Sequence, residues 1–207
     1  MTQALVVAPG VTLWPLRLDL ADQAALLNDV LARVVLAPFF DPTMPRTGKK
    51  FSVRMTNFGP LGWVSDVANG YRYEKAHPVT GGPWPAIPDA LLRLWAETTR
   101  YGAPPEACLV NLYGPGARMG LHRDQDEEAV DAPVLSVSLG DSAYFRFGTA
   151  NLKCETRRLK LNSGDVLMFG GPARLMHHGI DRILPGTSTL VPGGGRINLT
   201  LRRVSRK

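Results

Sequence analysis

Residues 196–202 read Arg-Ile-Asn-Leu-Thr-Leu-Arg, a strict alternation of polar and apolar side chains. Side chains on a β-strand point to opposite faces in turn, so period two marks a strand with unlike faces. Ile197, Leu199 and Leu201 share one face, and Arg196, Asn198, Thr200 and Arg202 share the other. A helix would scatter both sets around its axis, so this segment commits the end of the chain to a sheet. A merely solvated face usually carries longer charged groups than asparagine and threonine, so the polar face is expected to line a cleft. Two guanidinium forks on such a face suit a ligand with two carboxylates.

The rest of the chain supplies a sheet for that strand. The 207 residues are 44% hydrophobic and 20% charged, which fits one globular unit with its own core and excludes a disordered chain. The 21 glycines and 17 prolines favour short strands and turns. A helix is expected over residues 19–37, capped by Asp19 or Asp22, with Leu27, Val30, Leu31 and Val34 on one stripe. Residues 38–48 form a turn-rich stretch, 50–57 a strand, 71–73 a short strand and 77–88 a loop in which His77 is solvated. A second helix starts at Asp89, buries Leu91, Leu94 and Trp95, and stops at Gly102. Further strands are expected at 108–113, 134–139, 143–147, 158–161, 166–169 and 196–203, with Gly140-Asp141 as a hairpin turn. Helices thus fall in the first half and strands in the second: an α+β chain, a jelly-roll-like β-sandwich braced by N-terminal helices. Residues 1–207 read as a single domain, with the jelly-roll strands in 107–207.

His122 and Asp124 are two apart on an extended segment, so both project to one side and one ion can bind both. Only four histidines occur, and three sit at 122, 177 and 178. Imidazole plus carboxylate with a distant second histidine matches the facial triad that leaves positions open on iron(II). A zinc hydrolase can use the same three ligands, but it has no need of a dicarboxylate clamp. Asp124, Asp126, Glu127, Glu128 and Asp131 form an acidic knot in a chain of net charge +6 and pI about 9.6, which points away from anion binding there, with a metal cation as one candidate. The overall charge favours nucleic acid or another anion as partner. Lys49, Lys50 and Arg54 make one basic cluster; Arg157, Arg158 and Lys160 a second; Arg202, Arg203, Arg206 and Lys207 a third. Cys108 and Cys154 lack close-paired spacing and are expected as buried thiols in a reducing cytoplasm. No apolar run reaches the roughly 20 residues of a membrane span. Residues 1–9 lack the basic region of a signal peptide, and a monomer is the default for this size.

Several motifs fall in a characteristic order: Asn111-Leu-Tyr-Gly-Pro-Gly-Ala117, Leu121-His-Arg-Asp-Gln-Asp-Glu127, Ser136-Val-Ser-Leu-Gly140, Gly164-Asp165, His178-Gly-Ile180 and the 196–202 strand. Upstream lie Met55-Thr-Asn57, Leu61-Gly-Trp63 and Pro83-Trp-Pro-Ala86. From about residue 50 onward the chain resembles the AlkB family of alkylation-repair dioxygenases, the bacterial type in particular. The resemblance implies a double-stranded β-helix, with residues 1–106 supplying helices and a nucleotide-recognition lid and residues 107–207 the jelly-roll catalytic core. It implies that His122, Asp124 and His178 hold iron(II), His178 being preferred to His177 because it immediately precedes Gly179. Asn111, Tyr113, Arg196, Asn198 and Arg202 would hold 2-oxoglutarate. Trp63, Tyr71 and Asp126 would contact the damaged base, with His178 as the facing wall, and Arg158 the nucleic-acid strand.

The activity implied is oxidative demethylation of bases such as 1-methyladenine and 3-methylcytosine, in DNA and also RNA, preferably single-stranded. It uses O2 and 2-oxoglutarate and releases succinate, CO2 and formaldehyde. Two alternatives stand beside it: the same oxidative chemistry on a protein or small molecule, and a non-catalytic sandwich with a structural metal.

Overall fold

The computed structural model describes residues 3–148 and 156–206; Cys154 and Lys207 lie outside them. The elements in chain order are β1 (Leu5–Ala8), β2 (Val11–Trp14), α1 (Leu20–Leu36), β3 (Arg54–Phe58), β4 (Gly62–Asp66), β5 (Gly70–Glu74), α2 (Asp89–Thr99), β6 (Ala107–Tyr113), β7 (Met119–His122), β8 (Val134–Gly140), β9 (Ser142–Gly148), β10 (Arg157–Leu161), β11 (Val166–Phe169), a 3-10 turn (Gly171–Ala173), β12 (His177–Leu184) and β13 (Arg196–Arg202). They build a seven-stranded sheet in the order β1-β2-β11-β8-β13-β6-β3, a four-stranded sheet β10-β9-β12-β7, and the separate hairpin β4-β5.

Three layers result, and they explain the alternation in β13. Ile197, Leu199 and Leu201 pack with Leu26, Leu27 and Val30 of α1 and with Leu91, Leu94 and Trp95 of α2. The opposite face of the large sheet turns toward the small sheet, where Leu109, Tyr113 and Phe169 meet Phe145, Phe147 and Ile180. The polar row of β13 therefore lies inside the sandwich, and all four of its side chains are buried. β13 sits between β6 and β8, with Asn198 opposite Asn111 and Ser138.

Both helices form where their apolar stripes place them, α1 with a side-chain cap and α2 after Pro88 without one. Asp19 caps α1, its carboxylate accepting from Asp22 N at 2.8 Å. The second helix ends two residues before the expected Gly102, at Arg100, which takes a left-handed φ of 52°. Trp95 Nε1 donates to the Ala103 carbonyl at 2.9 Å, a bond that requires the chain to turn back by residue 103.

Four expectations are corrected. Gly140-Asp141 is no hairpin turn: β8 belongs to the large sheet and β9 to the small one. The dipeptide carries the chain around the sandwich corner, where a Cβ on Gly140 would meet Gly195 O at 2.5 Å and Asp141 accepts from Thr187 N and Gly195 N. His77 is buried rather than solvated; its Nε2 lies 2.7 Å from Pro38 O, its Nδ1 accepts from Val79 N, and its ring packs on Phe40 and Trp84. The strand expected at 50–57 starts only at Arg54. Finally, strands are not confined to the second half: both helices lie in the first half as expected, but beside them stand β1 to β5. Cys108 is fully buried as expected, and burial pushes its thiol up to about 12 despite the opposing charge of Arg202.

Candidate active site

β7 and β12 run antiparallel with His122 and His178 in register, so both rings project from one face into the sandwich, centroids 4.5 Å apart. Gly179 makes this approach possible, since a Cβ there would meet Met119 O at 2.5 Å. Asp124 follows two residues past the end of β7, and its Oδ1 lies 3.7 Å from His122 Nε2 and 3.9 Å from His178 Nε2. One ligand atom from each of the three residues falls within 4.8 Å of the others. His122 Nδ1 faces Gly120 O at 2.9 Å and His178 Nδ1 faces Met176 O at 3.2 Å. A carbonyl can only accept, so each Nδ1 carries a proton, and Nε2, on the side of Asp124, is the nitrogen that offers a lone pair in the neutral ring. Burial, reinforced by His122, lowers His178 to about 4. Two lone pairs and a carboxylate oxygen thus converge at separations too long for hydrogen bonds. That donor set fits an iron(II) ion.

Asp124 is fixed from two sides. Its Oδ2 accepts from Arg202 Nε at 2.9 Å, and its backbone carbonyl from Arg174 Nη1 at 2.6 Å. Burial, the largest single influence, would raise the carboxyl, but Arg202, His178 and His122 together outweigh it and hold Asp124 well below the usual carboxylate range. Arg202 shifts the other way: its own burial acts downward, but Asp124, Tyr73 and Glu127 override it and raise it.

Arg196 is different. It is fully buried, and among the described residues no carboxylate lies within 4.0 Å of it. Its nitrogens donate to Asp141 O, Ser138 Oγ and Asn198 Oδ1 at 3.2, 2.7 and 3.3 Å. Arg196 Nε and Asn111 Oδ1 are the buried side-chain polar atoms left without a partner among the described residues. Burial lowers Arg196 only to about 10, so it stays charged at neutral pH. A buried charge without a counter-ion costs several kcal/mol, and a carboxylate would complete it. Tyr113 and Asn111 stand opposite Arg196 and Asn198 on β6.

A cavity of about 920 Å³ opens over the triad, with Asn111, Tyr113, Asn198 and Arg202 in its wall. Arg196 is not in the wall, so the expected two-arginine clamp is asymmetric: Arg202 faces the cavity and Arg196 lies a layer deeper. At the mouth, Trp63 of β4 and Tyr71 of β5 stack on each other, centroids 5.5 Å apart at 20°, and Trp63 Nε1 donates to Asp126 Oδ2 at 2.8 Å. The two rings therefore offer one shared platform, not two alternative ones. The His178 ring is enclosed by Phe145, Phe169 and His122. His122, with 41% of its side chain exposed, is the ring that faces the open space.

The structure does not bring Arg158 to this cavity. It lies on the outer face of the small sheet, bonded to Asp181 at 2.6 Å and placed over the Tyr144 ring. His177 reaches the cavity wall but is not in the triad. The acidic knot divides: Asp124 joins the triad, Asp126 holds Trp63, and Asp131 accepts from Tyr101. Three residues were missed by sequence reasoning. Glu127 is buried, paired with Arg174 at 3.0 Å and 3.5 Å from Arg202, and it accepts from the Tyr73 hydroxyl. Glu127 stood in the acidic knot, and Tyr73 in the Tyr71-Arg72-Tyr73 alternation, but nothing in the sequence joined them.

Comparison with known proteins agrees with this geometry. The 2OG-Fe(II) oxygenase superfamily matches residues 10–202. The chain is 57% identical over 203 residues to an alpha-ketoglutarate-dependent dioxygenase AlkB homolog of Caulobacter vibrioides strain NA1000, covering 98% of this chain and 91% of the relative. It is 41% identical over 185 residues to the alpha-ketoglutarate-dependent dioxygenase AlkB of Escherichia coli strain K12, covering 87% and 83%. A solved structure of OsALKBH1 superposes with a TM-score of 0.84 at 30% identity, covering 97% of this chain and all of the other.

Proposed function

Since the chain belongs to the 2OG-Fe(II) oxygenase superfamily, and within it to the bacterial type of the AlkB family, we propose that its cavity seats iron(II), 2-oxoglutarate and one flipped-out methylated base. The protein is an iron- and 2-oxoglutarate-dependent dioxygenase that oxidatively demethylates bases in nucleic acid. His122, Asp124 and His178 would hold the iron, and Arg196, Arg202, Asn111, Tyr113 and Asn198 the cosubstrate. When bound, iron and 2-oxoglutarate supply an oxidant made from O2 that hydroxylates the N-methyl carbon, with CO2 and succinate leaving.

The chain's own residues do the positioning. The Nδ1–H bonds to Gly120 O and Met176 O aim both imidazoles. Arg202 and Arg174 keep Asp124 ionised and still. Arg196, lacking an acidic partner, gains most from an anion; this is the observation that carries the cosubstrate reading. A base inside a duplex cannot reach a site this deep, so it has to leave its stack or come from a single strand. The Trp63–Tyr71 platform takes its face, worth about 1–3 kcal/mol. Asp126 has its Oδ1 left to accept from an exocyclic amine and favours a base made cationic by methylation. Arg158 would meet the flanking strand outside the cavity.

This reading takes single-stranded DNA or RNA as substrate, residues 1–207 as one catalytic unit under the hairpin, and a cytoplasmic monomer. Among the described residues no helix is long and apolar enough to cross a membrane. The test is incubation of iron-loaded protein with 2-oxoglutarate, O2 and a single-stranded oligonucleotide bearing 1-methyladenine. Mass analysis is expected to show adenine restored, with formaldehyde and succinate in equal amounts. Succinate formation stimulated by peptides or metabolites but not by the methylated strand would support the protein or small-molecule alternative instead.

A further inference from the structure

Four ionised side chains, Asp124, Glu127, Arg174 and Arg202, are buried together beside the cavity. The sandwich does not require them all. Asp124 alone neutralises Arg202, and replacing a buried ion pair by apolar side chains often leaves stability unchanged or improved. What the second pair adds is a connection. Glu127 lies within 4.0 Å of both arginines, and Arg174 in turn holds the Asp124 carbonyl. The same carboxylate accepts from Tyr73 of β5.

Tyr73 does not belong to the sandwich sheets. It stands on the separate β4–β5 hairpin, directly opposite Trp63. Asp126 bonds Trp63, and the next residue, Glu127, bonds Tyr73. Two consecutive side chains thus grip a cross-strand pair of the hairpin. Two residues before them on the same segment is the triad carboxylate, Asp124. Burial pushes the Tyr73 phenol well above its ordinary value, so it remains a donor across the working pH range.

We propose that Tyr73 and Glu127 are positioning residues that tether the β4–β5 hairpin to the Asp124–Arg202 pair, so that filling the metal and cosubstrate seat stiffens the hairpin. The proposal rests on the reading of that seat given above. By linkage the effect is reciprocal: a base held under the hairpin tightens the hold on the cosubstrate by the same factor. Nothing in the tether moves a proton or touches the reacting carbon.

The test avoids turnover and nucleic acid. Amide hydrogen exchange of residues 62–74 is measured in the metal-free protein and again with manganese(II) and 2-oxoglutarate under anaerobic conditions. Calorimetry verifies binding in both the parent and Tyr73→Phe. In the parent, loading is expected to slow exchange of the hairpin by about 10-fold, within the usual range of coupling between sites. Tyr73→Phe is expected to bind manganese and 2-oxoglutarate within a few-fold of the parent yet show no slowing. A merely structural tyrosine would change the baseline exchange and leave the response to loading intact. Binding without slowing in the parent, or equal slowing in Tyr73→Phe, overturns the tether alone. Absence of any binding in the parent overturns the seat and the tether together.

Discussion

Asp124→Asn is expected to lose turnover by far more than the roughly 100-fold that removal of a mere outer partner of a metal ligand costs. Asparagine keeps the volume and an acceptor for Arg202 Nε, now 2.9 Å from Asp124 Oδ2, but loses the charge that faces both histidines. Alanine is the harsher change. It removes the nearer partner of a buried arginine and leaves Glu127 at 3.5 Å to compensate. Breaking a buried pair in this way costs about 3–5 kcal/mol, so Asp124→Ala is expected to be both inactive and substantially destabilised, and Asp124→Asn inactive but folded. Turnover assays paired with thermal denaturation check this. Asp124→Asn with more than a tenth of parent activity would remove the residue from the metal site.

The second large effect separates the two arginines of β13. Arg196→Met is expected to weaken 2-oxoglutarate binding by about 100-fold, the equivalent of one charge-assisted hydrogen-bonded contact of about 3 kcal/mol. Its effect on the stability of the cosubstrate-free protein should be small, because methionine removes a buried charge that, among the described residues, has no carboxylate within 4.0 Å, along with three modest hydrogen bonds. Arg202→Met should behave oppositely in stability. It strands Asp124 and leaves Glu127 with Arg174 alone, at a cost of about 3–5 kcal/mol. Metal affinity should fall with it, since the carboxylate loses the neighbour that holds it ionised. About 20 Å of strand separates the two α-carbons at the usual rise per residue. A shared five-carbon ligand therefore needs both side chains to lean inward, and a loss in both variants is the sign that they do. Isothermal calorimetry and thermal melts on both variants decide it. A 2-oxoglutarate affinity unchanged by Arg196→Met would mean that the buried guanidinium serves the fold only.

Much of this was legible in the chain. The alternation of residues 196–202 foretold a strand with a buried polar face, because a period-two pattern survives whichever sheet receives it. The His122–Asp124 spacing foretold two donor side chains turned to one side for the same reason, being local. What stayed hidden depends on which distant segments meet. β12 carries His178 but alternates poorly, with a glycine beside that histidine and a bulge before Arg182, so its strand character comes from pairing with β7 and β9. Gly140-Asp141 has the composition of a hairpin turn, yet the sandwich uses it to change sheets. Arg202 meets Asp124 across 78 residues and Tyr73 meets Glu127 across 54; neither distance leaves a trace in spacing. His77 looked solvated beside a proline, and only tertiary packing against Phe40 and Trp84 buries it.

The two histidines and Asp124 are expected to gather one iron(II) ion next to a seat for a dicarboxylate. Anaerobic titration of the iron-loaded protein with 2-oxoglutarate, followed by the visible charge-transfer absorption of a chelated keto acid, tests it most directly. The expected result is a band that saturates at one equivalent in the parent, is missing in Asp124→Asn, and appears in Arg196→Met only at far higher 2-oxoglutarate concentration. A parent protein without the band, or an Asp124→Asn variant that retains it, would contradict the assignment.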